Sequence, residues 1–232
     1  MTTGVPVLLL PGMICDAELW RDQVAALRGH ARCIVPALDA ATTETMADEV
    51  LRSAPERFAL AGLSMGGYVA LAIMREAPER VTRLLLAHTG ARPDTPEQSA
   101  GRQAASAAVK AGKFDRVVER LLGVTVHPSR LADALMLQRI EAMLRRMGPE
   151  MFVRQQLAAA GRPDSRPGLG EITVPTCVVA GDADRVIPPD NAIELAAAIP
   201  GAGLTMIEDC GHLSPIERPD HFNDVLLRWI TG

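Results

Sequence analysis

Phe58-Ala59-Leu60-Ala61-Gly62-Leu63-Ser64-Met65-Gly66-Gly67 is the stretch on which the reading of this chain turns. A short apolar run ends on a serine with glycine two places before and two places after it, and a helical pattern then runs from about Met65 to Ala77, stopping before Pro78. A strand that turns directly into a helix holds the residue at the turn in a sparsely populated backbone conformation. Side chains two positions to either side would collide in so tight a turn, so glycine is needed at both. The Ser64 hydroxyl is thereby pushed out beyond the strand's carboxyl end, above a helix N-terminus whose dipole favours negative charge. A serine so placed is a candidate nucleophile, but it needs a base to take its proton and a carboxylate to orient that base.

Outward from this turn, short apolar runs alternate with longer amphipathic ones, the pattern of βαβ units around a parallel sheet. Strands are predicted at Val5 to Leu10, Arg32 to Pro36, Phe58 to Leu63, Leu84 to Ala87, Thr176 to Ala180 and Leu204 to Ile207. After Asp16, a plausible cap, Trp20, Val24 and Leu27 share one helical face. Thr45 with Asp48 suggests a capping box for the next helix, with Met46 and Val50 on its inner side. A last helix from Pro219 to about Ile230 carries Phe222, Val225, Leu226 and Trp229 on its packing face.

From about Pro93 to Pro167 the alternation breaks. Only helical periodicity remains, with Leu135, Met136, Ile140, Met143 and Leu144 as a stripe, and the segment reads as a helical cap inserted over the sheet's carboxyl edge. It holds 12 Lys/Arg against 8 Asp/Glu, a net +4, whereas the remainder is −8. A solvated helical surface accounts for this excess, and the alternative is a mild preference for anionic substrates.

The chain has 232 residues and a net charge of −4, fitting one domain over 1–232 with the insertion at about 93–167. No Lys/Arg cluster suggests a nucleic-acid surface. The run from Val5 to Leu10 stops at Pro11-Gly12 and is too short to span a membrane; with no basic leader before it, it does not read as a signal peptide. Four scattered cysteines (Cys15, Cys33, Cys177, Cys210) read as free thiols in a reducing compartment, so a cytoplasmic location is expected. Cys15, near the predicted site, reads as a small buried filler before it reads as a reactive thiol. The five histidines show no ligand spacing, and neither metal nor cofactor is expected.

The Gly62-Leu63-Ser64-Met65-Gly66 turn resembles the nucleophile elbow of the α/β-hydrolase superfamily. Two further loops resemble that family in the expected order. Gly181-Asp182-Ala183-Asp184 follows a strand and looks like the acid loop, and Cys210-Gly211-His212-Leu213 follows the next strand and looks like the histidine loop. Since the family's acid lies three residues past that glycine, the resemblance implies a Ser64, Asp184, His212 triad, with Asp182 left as a loop or capping group. Leu10-Pro11-Gly12-Met13 resembles the glycine-containing turn after the first strand, which implies Met13 and Met65 as the two backbone donors of an oxyanion hole. Proline stands at position 11, where the family often has histidine. His88, after its strand, is expected on a pocket wall; His30, His127 and His221 fall on surface helices or in the cap. The likeness runs from Val5 to Trp229. It lacks two leading strands that many members have, implying a trimmed, mainly parallel, doubly wound sheet of about six strands with a helical cap.

Serine at the elbow separates this chain from members with aspartate or cysteine there. The expected activity is hydrolysis of a carboxylic ester, lactone or thioester of a small molecule with a largely apolar acyl part. Acyl transfer, carbon–carbon bond hydrolysis or a lyase reaction by the same triad, and a non-catalytic ligand receptor, remain alternatives, because this fold hosts many chemistries. Substrate contacts are expected from the cap region and from His88.

Overall fold

The computed structural model describes residues 6–232. Six strands, β1 (Val7–Leu10), β2 (Cys33–Ile34), β3 (Phe58–Leu63), β4 (Val81–Ala87), β5 (Thr176–Gly181) and β6 (Gly203–Ile207), form one sheet in the order β2-β1-β3-β4-β5-β6. Every pairing is parallel. The chain adds β2 on one side of β1 and β3 on the other, so the order reverses there. In open α/β sheets this reversal leaves a crevice beyond the carboxyl ends of the strands, where ligands bind.

Alternation along the strands sends side chains to two layers. Leu8, Leu10, Leu60, Leu84, Leu86 and Val178 pack beneath α2 (Thr43–Ser53), α3 (Met65–Glu76) and α7 (Asp190–Ala198). Val7, Leu9, Ala61, Leu63, Leu85 and Val179 pack on the other face with Trp20 and with α9 (Pro219–Thr231). β1 and β3 are buried throughout, which is why their sequences are unbroken apolar runs.

Between β4 and β5 lie α4 (Pro96–Lys110), α5 (Phe114–Thr125) and α6 (Ala134–Ala160). α6 turns sharply at Gly148, where φ is +80° and Pro149 follows. Its Met136, Ile140, Met143, Leu144 and Phe152 join the second layer, so the inserted helices share a core with the sheet. Among the described residues no helix is long and apolar enough to cross a membrane.

The predicted strands all form, β3 with the expected ends and others with changed ones. β2 is two residues long and stops before Pro36, which has no N–H to give to a ladder. β4 begins at Val81, ahead of the apolar run, because Thr82 and Arg83 are half-buried at the sheet's amino edge and break the apolar pattern. The expected start of β1 at Val5 lies outside the described residues.

Three helical details are corrected. Asp16 does cap, accepting from Glu18 N, but a 3-10 turn over Ala17–Trp20 precedes α1 (Arg21–Ala26). Its tighter winding rotates the register, so that Gln23 is buried and Val24 is 38% exposed. The cap of α2 is Thr42, whose hydroxyl accepts from Thr45 N at 3.1 Å, so Thr45 lies inside the helix. Leu135 sits on the outer side of the first turn of α6 and is 80% exposed, while the rest of its stripe is buried.

The elbow is held by close backbone contact. A Cβ on Gly62 would run into the Gly66 carbonyl, and one on Gly66 into the carbonyls of Leu10 and Pro11. The second glycine is therefore required by the neighbouring strand β1 as much as by the turn itself. Gly66→Ala is expected to lower unfolding free energy by about 3 kcal/mol or more, since a backbone oxygen cannot swing aside as a side chain can. Urea unfolding of the purified variant measures this; an unchanged midpoint would mean that α3 can slide off β1.

Candidate active site

Ser64 follows β3 at φ +55° and ψ −114° and opens the twelve-residue α3. Its N–H donates to Ala87 O at 2.9 Å, and its carbonyl accepts from the Thr89 hydroxyl at 2.8 Å, so the strained residue is gripped from β4. A Cβ on Gly67 would strike that Thr89 side chain, which explains a third glycine in the motif.

Asp184 lies in the loop after β5, with its side chain fully buried. Oδ1 accepts from the backbone N–H groups of Val186 and Ile187 at 2.9 and 3.0 Å. Oδ2 accepts from His212 Nδ1 at 2.7 Å and from His88 Nδ1 at 2.9 Å. Burial works to raise the carboxyl pKa, but the His212 charge and the hydrogen bonds from His212 and His88 outweigh it and hold Asp184 far below the usual carboxylate range. An anionic Oδ2 fixes both protons on Nδ1. His212 Nε2 is then left with a lone pair, and His212 lines the same cavity as Ser64.

Asp182, the other acid of this loop, accepts from the N–H groups of Asp209 and Cys210 at 3.2 and 3.1 Å. It braces the loop before His212 and makes no contact with the imidazole. The expectation that His88 stands on the pocket wall is corrected. It is 1% exposed, sits behind Asp184, and is absent from the cavity lining. Its Nε2 lies 2.6 Å from the Ser214 hydroxyl, which donates to it once Nδ1 carries the proton. Burial pushes the His88 pKa down, so it stays neutral and serves Asp184 as a hydrogen-bond donor. Donor atoms of His88, Asp184 and His212 lie within 4.8 Å of one another, close enough for a shared cation. Binding one there would require both Nδ1 protons and both hydrogen bonds to be given up.

The loop after β1 comes up against the elbow: a Cβ on Gly12 would lie 3.6 Å from Ser64 Cβ. Met13 follows and lines the cavity. Met65 is the first residue of α3, where a helix provides no acceptor for the N–H. Ile14 is held at φ +45°, a costly conformation for a β-branched residue. Its N–H donates to Gln155 Oε1 at 2.6 Å, and Gln155 Nε2 donates to Leu38 O at 2.8 Å. A buried glutamine of α6 thus ties this loop to the inserted helices. Cys15 is buried beside it, and burial with the nearby Asp16 charge raises its thiol to about 12, leaving it an inert filler.

Sequence reasoning missed Glu217, in α8 (Ser214–Glu217). Its buried carboxylate accepts from His127 N at 2.8 Å, Gly211 N at 3.2 Å and Leu213 N at 3.1 Å, so it clasps both neighbours of His212 in the chain. His212 N itself donates to Thr125 O at the end of α5 at 2.6 Å. A Cβ on Gly211 would meet that same carbonyl at 2.6 Å, so glycine lets the histidine loop and the insertion touch. The only local hint of Glu217 is an acid five residues past the histidine.

Met13, Ser64, Leu144, Ile187 and His212, among others, wall a cavity of about 200 Å³. A family model described as the Alpha/beta hydrolase family matches residues 7–225. A 2-hydroxy-6-oxononadienedioate/2-hydroxy-6-oxononatrienedioate hydrolase of Klebsiella pneumoniae subsp. pneumoniae is 34% identical over 178 residues, 74% of this chain and 62% of that protein. This chain therefore spans less than two thirds of that relative's length. A thermophilic esterase from Thermogutta terrifontis superposes with a TM-score of 0.92 at 32% identity, covering 99% of this chain and 90% of its own. The enol-lactonase of Burkholderia xenovorans LB400 superposes with a TM-score of 0.87 at 26% identity, covering 99% and 92%.

Glu217→Gln is expected to destabilise the fold by about 2–3 kcal/mol, because one of three N–H groups bound to a charged acceptor would face an amide donor. Thermal unfolding measures the loss, and a shift below 1 °C would mean that the histidine loop is held elsewhere.

Proposed function

The chain belongs to the alpha/beta hydrolase family, and within it we propose a serine hydrolase that cleaves a carboxylic ester, lactone or thioester through an acyl-enzyme on Ser64. One observation carries this reading. A serine in a strained turn at a helix N-terminus shares a cavity with a histidine whose other nitrogen is bound to a buried, anionic aspartate.

In the proposed cycle His212 Nε2 takes the proton from Ser64 Oγ as the oxygen attacks the acyl carbon. Asp184 stabilises the imidazolium that results, with Oδ1 anchored by two backbone donors. Negative charge forming on the carbonyl oxygen is met by the N–H groups of Met13 and Met65, aided by the dipole of α3. His212 then protonates the leaving group, the acyl-ester remains on Ser64, and a water deprotonated by His212 releases the acid. His88 contributes by keeping Asp184 in place.

The chain is read as one catalytic unit over 1–232, with the insertion at about 93–167 serving as its cap. Its partner is a small molecule, and neither nucleic acid nor membrane is part of the proposal. A 200 Å³ cavity is below the roughly 300–1,000 Å³ of sites for drug-sized ligands, which favours a compact acyl group. A second reading rests on the 34% identity to the nonadienedioate hydrolase. A substrate so named has carboxylates, an enol and a ketone but no ester, so its hydrolysis breaks a carbon–carbon bond. The same serine and histidine would serve.

Labelling with a fluorophosphonate, followed by peptide mapping, is expected to mark Ser64, and Ser64→Ala to abolish the label. On a panel of short-chain esters the same variant is expected to lose about 10⁴-fold or more in kcat. Well-folded protein that neither labels nor turns over any ester would overturn the hydrolase reading and favour a ligand receptor.

A further inference from the structure

The cavity wall beyond the elbow carries guanidinium groups and no carboxylate. Arg92, Arg102 and Arg162 line it, together with Gln98 and Gln156. Arg92 is engaged toward the outside, donating from Nε to Glu194 at 2.9 Å. Arg102 and Arg162 share a single partner. Asp94, whose side chain is 1% exposed, stands behind the wall and accepts from Arg102 Nε at 2.6 Å and from Arg162 Nη1. Burial works to raise the Asp94 pKa, but the two guanidinium groups outweigh it and hold it low, so the carboxylate is charged. Two cations on one anion leave a net positive charge at the cavity wall, in a protein whose own net charge is −4.

That charge is fixed in place. Arg102 Nη1 donates to Gln156 Oε1 at 2.9 Å. The Arg162 side chain is 8% exposed and lies with its guanidinium carbon 4.3 Å from the centroid of the Tyr68 ring, while its Nε donates to Arg92 O at 3.0 Å. Arg162 Nη2 has no acceptor among the described residues. Tyr68 of α3, whose N–H donates to Ser64 O at 3.3 Å, lines the same cavity as Ser64. Ser64, Tyr68 and the guanidinium groups of Arg102 and Arg162 thus face one cavity, with Arg162 stacked on the Tyr68 ring. In a cavity of this size they are only partly screened by water, where a cation attracts an anion most strongly.

We propose that Arg102 and Arg162 form an anion subsite and that the substrate is a compact acyl compound with a carboxylate at the end remote from the scissile bond. The positive excess of the insertion, which solvated helices explain in general, is in these two residues turned inward. Asp94 sets the charge: it pairs with both cations and leaves a net charge of one for the ligand.

Two measurements test this. The kinetic one rests on the hydrolase reading and compares the monomethyl ester of succinic acid with methyl butyrate. The wild type is expected to favour the acid-bearing ester at least tenfold in kcat/KM, less so at high salt, and Arg102→Gln to reduce that preference at least tenfold. Arg162→Gln is expected to do the same, and Arg102→Lys to restore part of it. The binding measurement needs no turnover: succinate is expected to raise the unfolding temperature of the wild type, butane-1,4-diol is not, and both glutamine variants are expected to lose the succinate shift. A preference that is unaltered in folded variants, or no succinate shift in the wild type, would overturn the subsite. A succinate shift lost in the variants, with no ester turned over, would uphold the subsite while removing the hydrolase reading.

Discussion

Everything in this molecule is arranged around the backbone of Ser64. The residue sits at φ +55° because its N–H is held by Ala87, its carbonyl by Thr89, and the helix it begins is pressed on the Leu10 and Pro11 carbonyls. Two of these restraints come from β4 and the loop after it, and the third from β1 and its following loop. A positive φ at a non-glycine costs of order 1–3 kcal/mol and persists only where the surroundings over-determine it. β1, β3 and β4 do so here. The same contacts bring the loop after β1 up to the serine, so the turn that strains the residue also brings Met13 close to it.

The electrostatics rest on three buried carboxylates with different tasks. Asp184 has four donors and holds two imidazoles, Glu217 has three backbone donors and holds the histidine loop, and Asp94 is shared by two arginines. A buried charge is tolerated only when it is paired and hydrogen-bonded. All three meet that condition, and each ties a segment distant in sequence to the rim of the cavity. The inserted helices reach the site through these polar ties and through Gln155 and Thr125, in addition to a shared apolar core.

Much of this was legible in the chain itself. All six strands, the turn at Ser64 and the helical character of 93–167 could be read from local pattern, because apolar period and glycine placement are local properties, whereas the acid and histidine loops were legible through their resemblance to the family. Misreadings fell where a neighbour decided. The 3-10 turn before α1 turned Val24 outward, Thr42 displaced Thr45 as a cap, and polar Thr82 and Arg83 hid the start of β4. His88 was expected on the cavity wall and is instead behind Asp184, since a position after a strand specifies an edge of the sheet but not the side from which a side chain enters the site.

What the sequence by itself determined is the sheet, its polarity, and which loops gather at its carboxyl edge. These follow from periodicity and from the few residues that a strand-to-helix turn admits. What only the tertiary structure decided is the company each charged side chain keeps: Glu217 beneath the histidine loop, Gln155 on Ile14, and Arg102 and Arg162 on one aspartate. Partners of this kind are separated by up to 141 residues and belong to helices whose outward sequence pattern is that of any solvated surface. Their pairing is set by where the insertion folds back over the sheet, and that depends on packing between elements, which no local period encodes.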